Sequence, residues 1–200
     1  TTGEYTLQTL NAYDSLNGNG GTDTLNVQIS STVTPLSLQN IEVVNVTATS
    51  ASTLGLANAG QVTNVNANSS SADLVVSGIA AGADLSVSNI TAADMDTTFT
   101  YATVTGAQSA NLAVNNLSQT GADHTAAIVI DGVETINVTA SGNASSYVLD
   151  ADAATTVTLA GDATQNVLFD DGRITSGTLK LTLVDASAST GAVNVTMNNQ

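Results

Sequence analysis

The sequence contains no cysteine. Disulfides, thiolate metal sites and thiol catalysis are therefore excluded. Tryptophan is also absent, and aromatics make up only 3% of the 200 residues. The apolar share is nevertheless 42%, which is too high for a chain disordered by composition. It is carried by Ala, Val, Leu and Ile, small side chains that suit narrow, repeated layers better than one large centre. Basic residues are nearly missing: Lys plus Arg total 2 against 17 Asp plus Glu, a formal net charge of −15. Nucleic acid and anionic membrane surfaces need Lys/Arg clusters, so neither is expected as a partner. Charged residues of both signs reach only 10%, against a usual figure of roughly 25%. The surface must then be solvated mainly by Ser, Thr, Asn and Gly. Unopposed carboxylates repel one another and favour bound cations. No apolar run approaches the ~20 residues of a membrane helix, so direct membrane insertion is not expected. No signal peptide is visible at Thr1, and the chain reads as a segment of something longer.

Residues that favour strands and turns are plentiful. Val, Ile, Thr, Ser, Asn and Gly dominate, and all are mediocre or poor helix formers. Short period-2 runs predict strands at 24–29, 41–48, 62–66, 85–88, 99–105, 128–130, 135–139, 155–159, 179–184 and 193–197. Clusters of Gly, Asn, Asp and Ser separate them, as turns require. The segments also echo one another. Residues 38–48 and 130–140 share the pattern apolar, two variable, apolar, Glu, any, apolar, Asn, Val, Thr, Ala. Glu42 and Glu134 hold equivalent places just before a strand, as a structural corner or as a site. Neighbouring echoes lie roughly 20 residues apart, within the period range of solenoids. The expected fold is all-β, a parallel β-helix or β-solenoid with short strands and variable loops. An antiparallel β-sandwich is the alternative, since it shows the same alternation and polar turns.

One motif is sharper than the rest. Residues 9–17 read Thr-Leu-Asn-Ala-Tyr-Asp-Ser-Leu-Asn, and 18–26 read Gly-Asn-Gly-Gly-Thr-Asp-Thr-Leu-Asn. The second unit fits the calcium-binding nonapeptide pattern G-G-x-G-x-D-x-U-x, with Asn19 in place of the second Gly. The segment 14–27 resembles those of secreted bacterial repeats-in-toxin (RTX) proteins. Joined to Leu38-Gln-Asn-Ile-Glu-Val-Val-Asn-Val46, it resembles more narrowly the calcium-dependent surface-layer (S-layer) proteins of the Caulobacter type and related large RTX adhesins. The resemblance covers about a quarter of the chain. It implies a type I secreted, calcium-binding solenoid at the bacterial cell surface, with self-association in a lattice. In this arrangement residues 1–27 form a degenerate nonapeptide pair, as a cap or first coil. Residues 28–200 continue as the solenoid in one domain.

Calcium takes about 6–8 oxygen ligands, so the motif needs partners from elsewhere in the chain. In a regular roll two nonapeptides make one turn, which puts Asp14 and Asp23 on opposite sides. A same-side partner should lie 18 residues away. From Asp23 that position is Tyr5 or Ile41, and from Asp14 it is Thr32. None is a strong ligand. Candidate cation-binding residues are Asp14, Gly18, Gly21 and Asp23 in the motif, and the pairs Asp94/Asp96, Asp150/Asp152 and Asp170/Asp171. The spacing moves the expected Ca²⁺ toward the later aspartates. In the last pair, Arg173 is a competing partner.

Catalysis is not expected. Acidic-sugar chemistry needs cations to stabilise charge, and only Arg173 and Lys180 exist. The one histidine, His124, follows Asp123, but adjacent strand residues face opposite ways. No P-loop, nucleophile elbow or H-E-x-x-H is present. The Thr-x-Thr triplets are too irregular for ice binding. The expected role is structural, with calcium bridging carboxylates. An adhesin binding a surface polysaccharide or other glycan is the second expectation, and a polysaccharide-modifying enzyme the third.

Overall fold

The computed structural model describes residues 8–91, 95–118, 127–170 and 180–198. They contain seventeen strands and no helix. In chain order these are β1 (Ser15–Asn17), β2 (Thr24–Ile29), β3 (Ser37–Gln39), β4 (Val43–Ala48), β5 (Ser52–Gly55) and β6 (Asn64–Asn68). Next come β7 (Leu74–Ile79), β8 (Asp84–Ile90), β9 (Thr97–Tyr101), β10 (Ser109–Leu117), β11 (Ile128–Ile130) and β12 (Thr135–Ala140). The last five are β13 (Ser145–Asp150), β14 (Thr156–Gly161), β15 (Gln165–Asp170), β16 (Leu183–Asp185) and β17 (Val193–Asn198).

From β4 onward, successive strands alternate between two faces. The even strands β2 to β16 form one eight-stranded sheet, and the odd strands β5 to β17 a seven-stranded one. β1 and β3 pair by themselves on a third side of the first coils. Every pairing is parallel. The chain is thus a β-solenoid of about seven turns. At ~4.8 Å per strand step, the even sheet runs about 34 Å along the axis.

Parallel stacking puts like side chains over like. In the even sheet one inward column reads Leu25, Val44, Val65, Leu85, Leu112, Val138, Leu159. Its neighbour reads Val27, Val46, Ala67, Val87, Val114, Ala140. In the odd sheet, Leu74, Thr97, Ile128, Leu149 and Phe169 stack in one column. All but Leu25 are buried, and the buried columns merge into one core. Such columns bury methyl groups against those one coil away, so small branched residues fill most of the space, with Phe99, Tyr147 and Phe169 added in the odd sheet.

The step between stacked residues is not constant. Along the even sheet it is 19, 21, 20, 27, 26, 21 and 27 residues. Loops outside the paired strands absorb the difference. The register of the two echo segments also slides. Val46, not Ala48, shares its column with Ala140, so 38–48 and 130–140 lie two residues out of line. Their local work is the same. Glu42 Oε2 accepts the Asp23 N–H at 2.8 Å, and Glu134 Oε2 accepts the Gln108 N–H at 2.7 Å. One coil later, Thr63 and Thr155 donate their hydroxyls to the Glu42 and Glu134 carbonyls. Both glutamates therefore tie a corner to the preceding coil.

Tyr147, Gln165 and Thr97 are among the inward polar side chains of the odd sheet. The Tyr147 hydroxyl donates to Gln165 Oε1 at 3.0 Å, and Gln165 Nε2 donates to the Ala160 carbonyl at 3.1 Å. Thr97, fully buried, has no hydrogen-bond partner for its Oγ1 among the described residues. An unmet buried hydroxyl costs about 1–3 kcal/mol. Thr97→Val removes that hydroxyl at nearly constant volume. It should raise the melting temperature by a few degrees in a calorimetric scan, whereas Thr97→Ala should lower it.

Burial, and secondarily the Asp84 charge, push the Tyr101 hydroxyl up to about 12. That hydroxyl donates to the Ala83 carbonyl at 3.2 Å. Burial likewise raises Tyr147. An unfolded tyrosine ionises near pH 10. With the folded value raised, the stabilisation is complete below pH ~10 and is lost as the pH rises through ~12. In an alkaline titration two of the four tyrosines should ionise only as the fold is lost, with phenolate absorbance and circular dichroism changing together.

Candidate cation site

The Gly-rich turn lies between β1 and β2. Asn17 Oδ1 accepts the Asn19 N–H at 2.9 Å and Asn40 Nδ2 at 2.8 Å. Asn19 (φ 70°) and Gly21 (φ 124°) take positive-φ conformations that reverse the chain. Asparagine tolerates this region better than most residues, and glycine does so without strain. At Gly18 the constraint is space. A Cβ there would lie 2.6 Å from both Cβ and Cγ of Asp23 and would collide with the Asn40 carbonyl oxygen. Gly20 has open room around it.

Asp14 and Asp23 immediately precede β1 and β2, strands of different sheets, so they do sit on different sides. The partner of Asp23, however, is not the residue given by an 18-residue turn. Thr24 stacks beneath Val43, so the coil is one residue longer, and Glu42 rather than the buried Ile41 lies over Asp23. Glu42 accepts the Asp23 N–H, while the Asp23 carbonyl accepts the N–H groups of Glu42 and Val43 at 3.2 and 3.1 Å. Asp23 Oδ2 is buried and has no hydrogen-bond partner among the described residues. A buried carboxylate oxygen without a donor is unfavourable, and a cation would satisfy it. Glu42 Oε2, which accepts the Asp23 N–H, and the Asn40 carbonyl oxygen, which with the Asp23 carboxyl crowds Gly18, are oxygens of the kind Ca²⁺ takes.

Asp14 is already committed. Its carboxylate accepts the Asn11 N–H at 2.9 Å and Asn11 Nδ2 at 3.0 Å, closing a local turn. Ser15 pairs with Ser37, so Thr32 is not the residue stacked over Asp14. Asp96 is also structural. Its Oδ1 accepts the Ala127 N–H at 2.8 Å, and its own N–H donates to Asp73 Oδ1 at 3.0 Å. Asp94, Asp171, Asp123, His124 and Arg173 lie outside the described residues. Asp170 closes β15, where its backbone pairs with Asn198 of β17.

Asp150, at the end of β13, is 8% exposed, and Asp152 follows in the next corner. Val129 pairs with Asp150, which sets Asp131 in the corner stacked with Asp152. Partial burial, and then the Asp152 charge, raise the Asp131 carboxyl above its ordinary value. Asp131 was not singled out in the sequence, and Glu42 was singled out as a corner or site but not as the partner of Asp23. Each sits one unequal coil away from a candidate, and only the register reveals it. Among the described residues, no three His, Cys, Asp or Glu side chains gather as a protein-only metal cage would need. Each candidate site therefore brings together two carboxylates, Asp23 with Glu42 and Asp131 with Asp152.

The close approach at Gly18 sets a sharp contrast with Gly20. Gly18→Ala should cost several kcal/mol and lower the denaturation midpoint clearly, because backbone and Cβ atoms cannot swing aside. Gly20→Ala should shift it by less than about 1 kcal/mol. No protein-family model matches the chain, and no curated protein or solved structure matches it significantly.

Proposed function

We propose that this chain is a non-enzymatic, calcium-associated solenoid of an RTX-related surface-layer protein, secreted by a type I route to the bacterial cell surface. It forms or joins a protein lattice there, and Ca²⁺ stiffens its coils and bridges neighbouring copies. One observation carries this reading: Asp23 Oδ2 is buried without a donor, in a glycine-rich turn directly below the Glu42 carboxylate. Asp23 and Glu42 would hold one ion, and Asp131 with Asp152 a second. The ion would neutralise paired carboxylates on a chain of net charge −15. The sequence of the turn, Asp14 to Val27, supports the family assignment by its likeness to the calcium nonapeptide.

Calcium titration tests it. A ligand at a hundred times its Kd stabilises the folded state by about 2.7 kcal/mol. For a domain of this size that corresponds to a rise of roughly 5–10 °C in melting temperature. Calcium should produce such a rise and increase light scattering by assembly, and EDTA should reverse both. Asp23→Asn should remove part of the calcium-dependent rise. Identical melting and scattering in calcium and EDTA would refute the proposal.

A further inference from the structure

The outward side of the eight-stranded sheet carries two adjoining depressions, of about 490 Å³ and about 270 Å³. Asn66 and Ser86 line both, which joins them into one trough. The trough crosses β2, β4, β6, β8, β10 and β12, so it runs along the solenoid axis for about 24 Å at ~4.8 Å per strand. Amides and hydroxyls dominate its lining side chains, and Asp84 is the one ionised group among them.

These amides are held in place by ladders. Asn45 Nδ2 donates to Asn26 Oδ1 at 2.7 Å, and Asn66 Nδ2 donates to Asn45 Oδ1 at 2.8 Å. Further along, Asn111 Nδ2 donates to Asp84 Oδ1 at 2.9 Å, and Asn137 Nδ2 donates to Asn111 Oδ1 at 3.1 Å. A primary amide has two N–H donors and two acceptor lone pairs. Inside a ladder each Asn uses one of each and keeps one of each. The result is two rows of paired donors and acceptors, one over β2, β4 and β6 and one running from Asp84 of β8 over β10 and β12. Their rotamers are already fixed, so a ligand avoids the usual ordering cost of about 0.5–1.5 kcal/mol per side chain.

The chemistry selects the ligand class. The lining offers no cation for a phosphate, sulfate or uronate polymer. It offers no aromatic or large apolar platform for a lipid or an amphipathic helix. Hydroxyl groups, each both donor and acceptor, match fixed amides that are also both. A ligand that repeats such groups along one direction gains contacts at each strand. We propose that this trough binds an extended, uncharged polysaccharide lying along the solenoid axis. Without stacking platforms each sugar contributes little, so long chains bind and monosaccharides do not.

The site is separate from the turn at Asp23, and the test is run in EDTA so that it succeeds or fails independently of calcium. The whole chain is incubated with cellulose, chitin, mannan and dextran as neutral probes, and with polygalacturonate as the anionic one. Retention on at least one neutral polymer is expected, with none on polygalacturonate and no competition by its monosaccharide. Ser86→Lys places a long side chain where the two depressions meet and should weaken binding by about tenfold or more. Ser77→Lys, on the outward side of the other sheet, should bind as the parent does. Thr139→Lys, at an exposed position lining the second depression, is the parallel variant if Ser86→Lys does not fold. No retention on any neutral polymer overturns the proposal. So does equal retention on polygalacturonate, or an equal effect of the trough and control variants.

Discussion

Parallel stacking of one coil on the next is the constraint on which the rest of the structure depends. Each strand takes its hydrogen-bond partners from the coils on either side, so a residue is defined by its column as much as by its neighbours in sequence. Inside, columns of Val, Leu, Ile and Ala bury methyl on methyl. Outside, columns of Asn, Ser and Thr bond amide to amide and hydroxyl to amide. Each such bond is worth only about 1 kcal/mol net, but the ladder repeats it at each coil. Side chains that repeat one group down a column also pin the register, because slippage by one residue would turn methyls outward and amides inward.

The same geometry accounts for how so acidic a chain holds together. Several carboxylates accept main-chain N–H groups at corners: Glu42, Glu134, Asp73, Asp96 and Asp14. Each supplies the acceptor that a turning backbone lacks. Asp185 does so within its own turn, where the Ser187 N–H holds its carboxyl below the usual range. Asp23 and Asp131 depart from that pattern. Asp23 keeps a buried oxygen without a donor, and Asp131 is raised by partial burial and by the charge of Asp152. These two corners are where a fold that uses its carboxylates as hydrogen-bond acceptors leaves carboxylates outside that pattern.

Legibility in the sequence varied by element for identifiable reasons. β2 and β11 match the predicted spans residue for residue, because Thr24–Ile29 and Ile128–Ile130 combine branched side chains with clear flanking turns. The predicted span 99–105 overran β9, which begins at Thr97 and ends at Tyr101. Strands β1, β3, β5, β7, β10, β13 and β15 escaped the alternation. In β10, Ala110 and Ala113 face opposite ways and blur the period. In β13 and β15, Val148 and Leu168 are buried on the outward side with Ala127, while Ser145 and Gln165 face inward. Both faces of these strands are therefore mixed. At the candidate site, Asp23 was legible as a motif residue, whereas Glu42 was hidden by one extra residue in the coil.

By itself the sequence determined an all-β, repetitive, small-cored and acidic chain and favoured parallel coils over a sandwich, a choice the strand pairing made. Those properties follow from composition and short-range period, which each segment carries locally. Glu42 and Glu134 were legible as equivalent positions, but their corner role depends on an N–H 19 or 26 residues earlier that only stacking brings beside them. Only the tertiary structure decided which residues meet. Coil lengths from 19 to 27 residues along one sheet make the column of any side chain a running total of every loop before it. That is why Asp23 lies under Glu42, why Asp131 faces Asp152, and why asparagines scattered along the chain assemble into one trough.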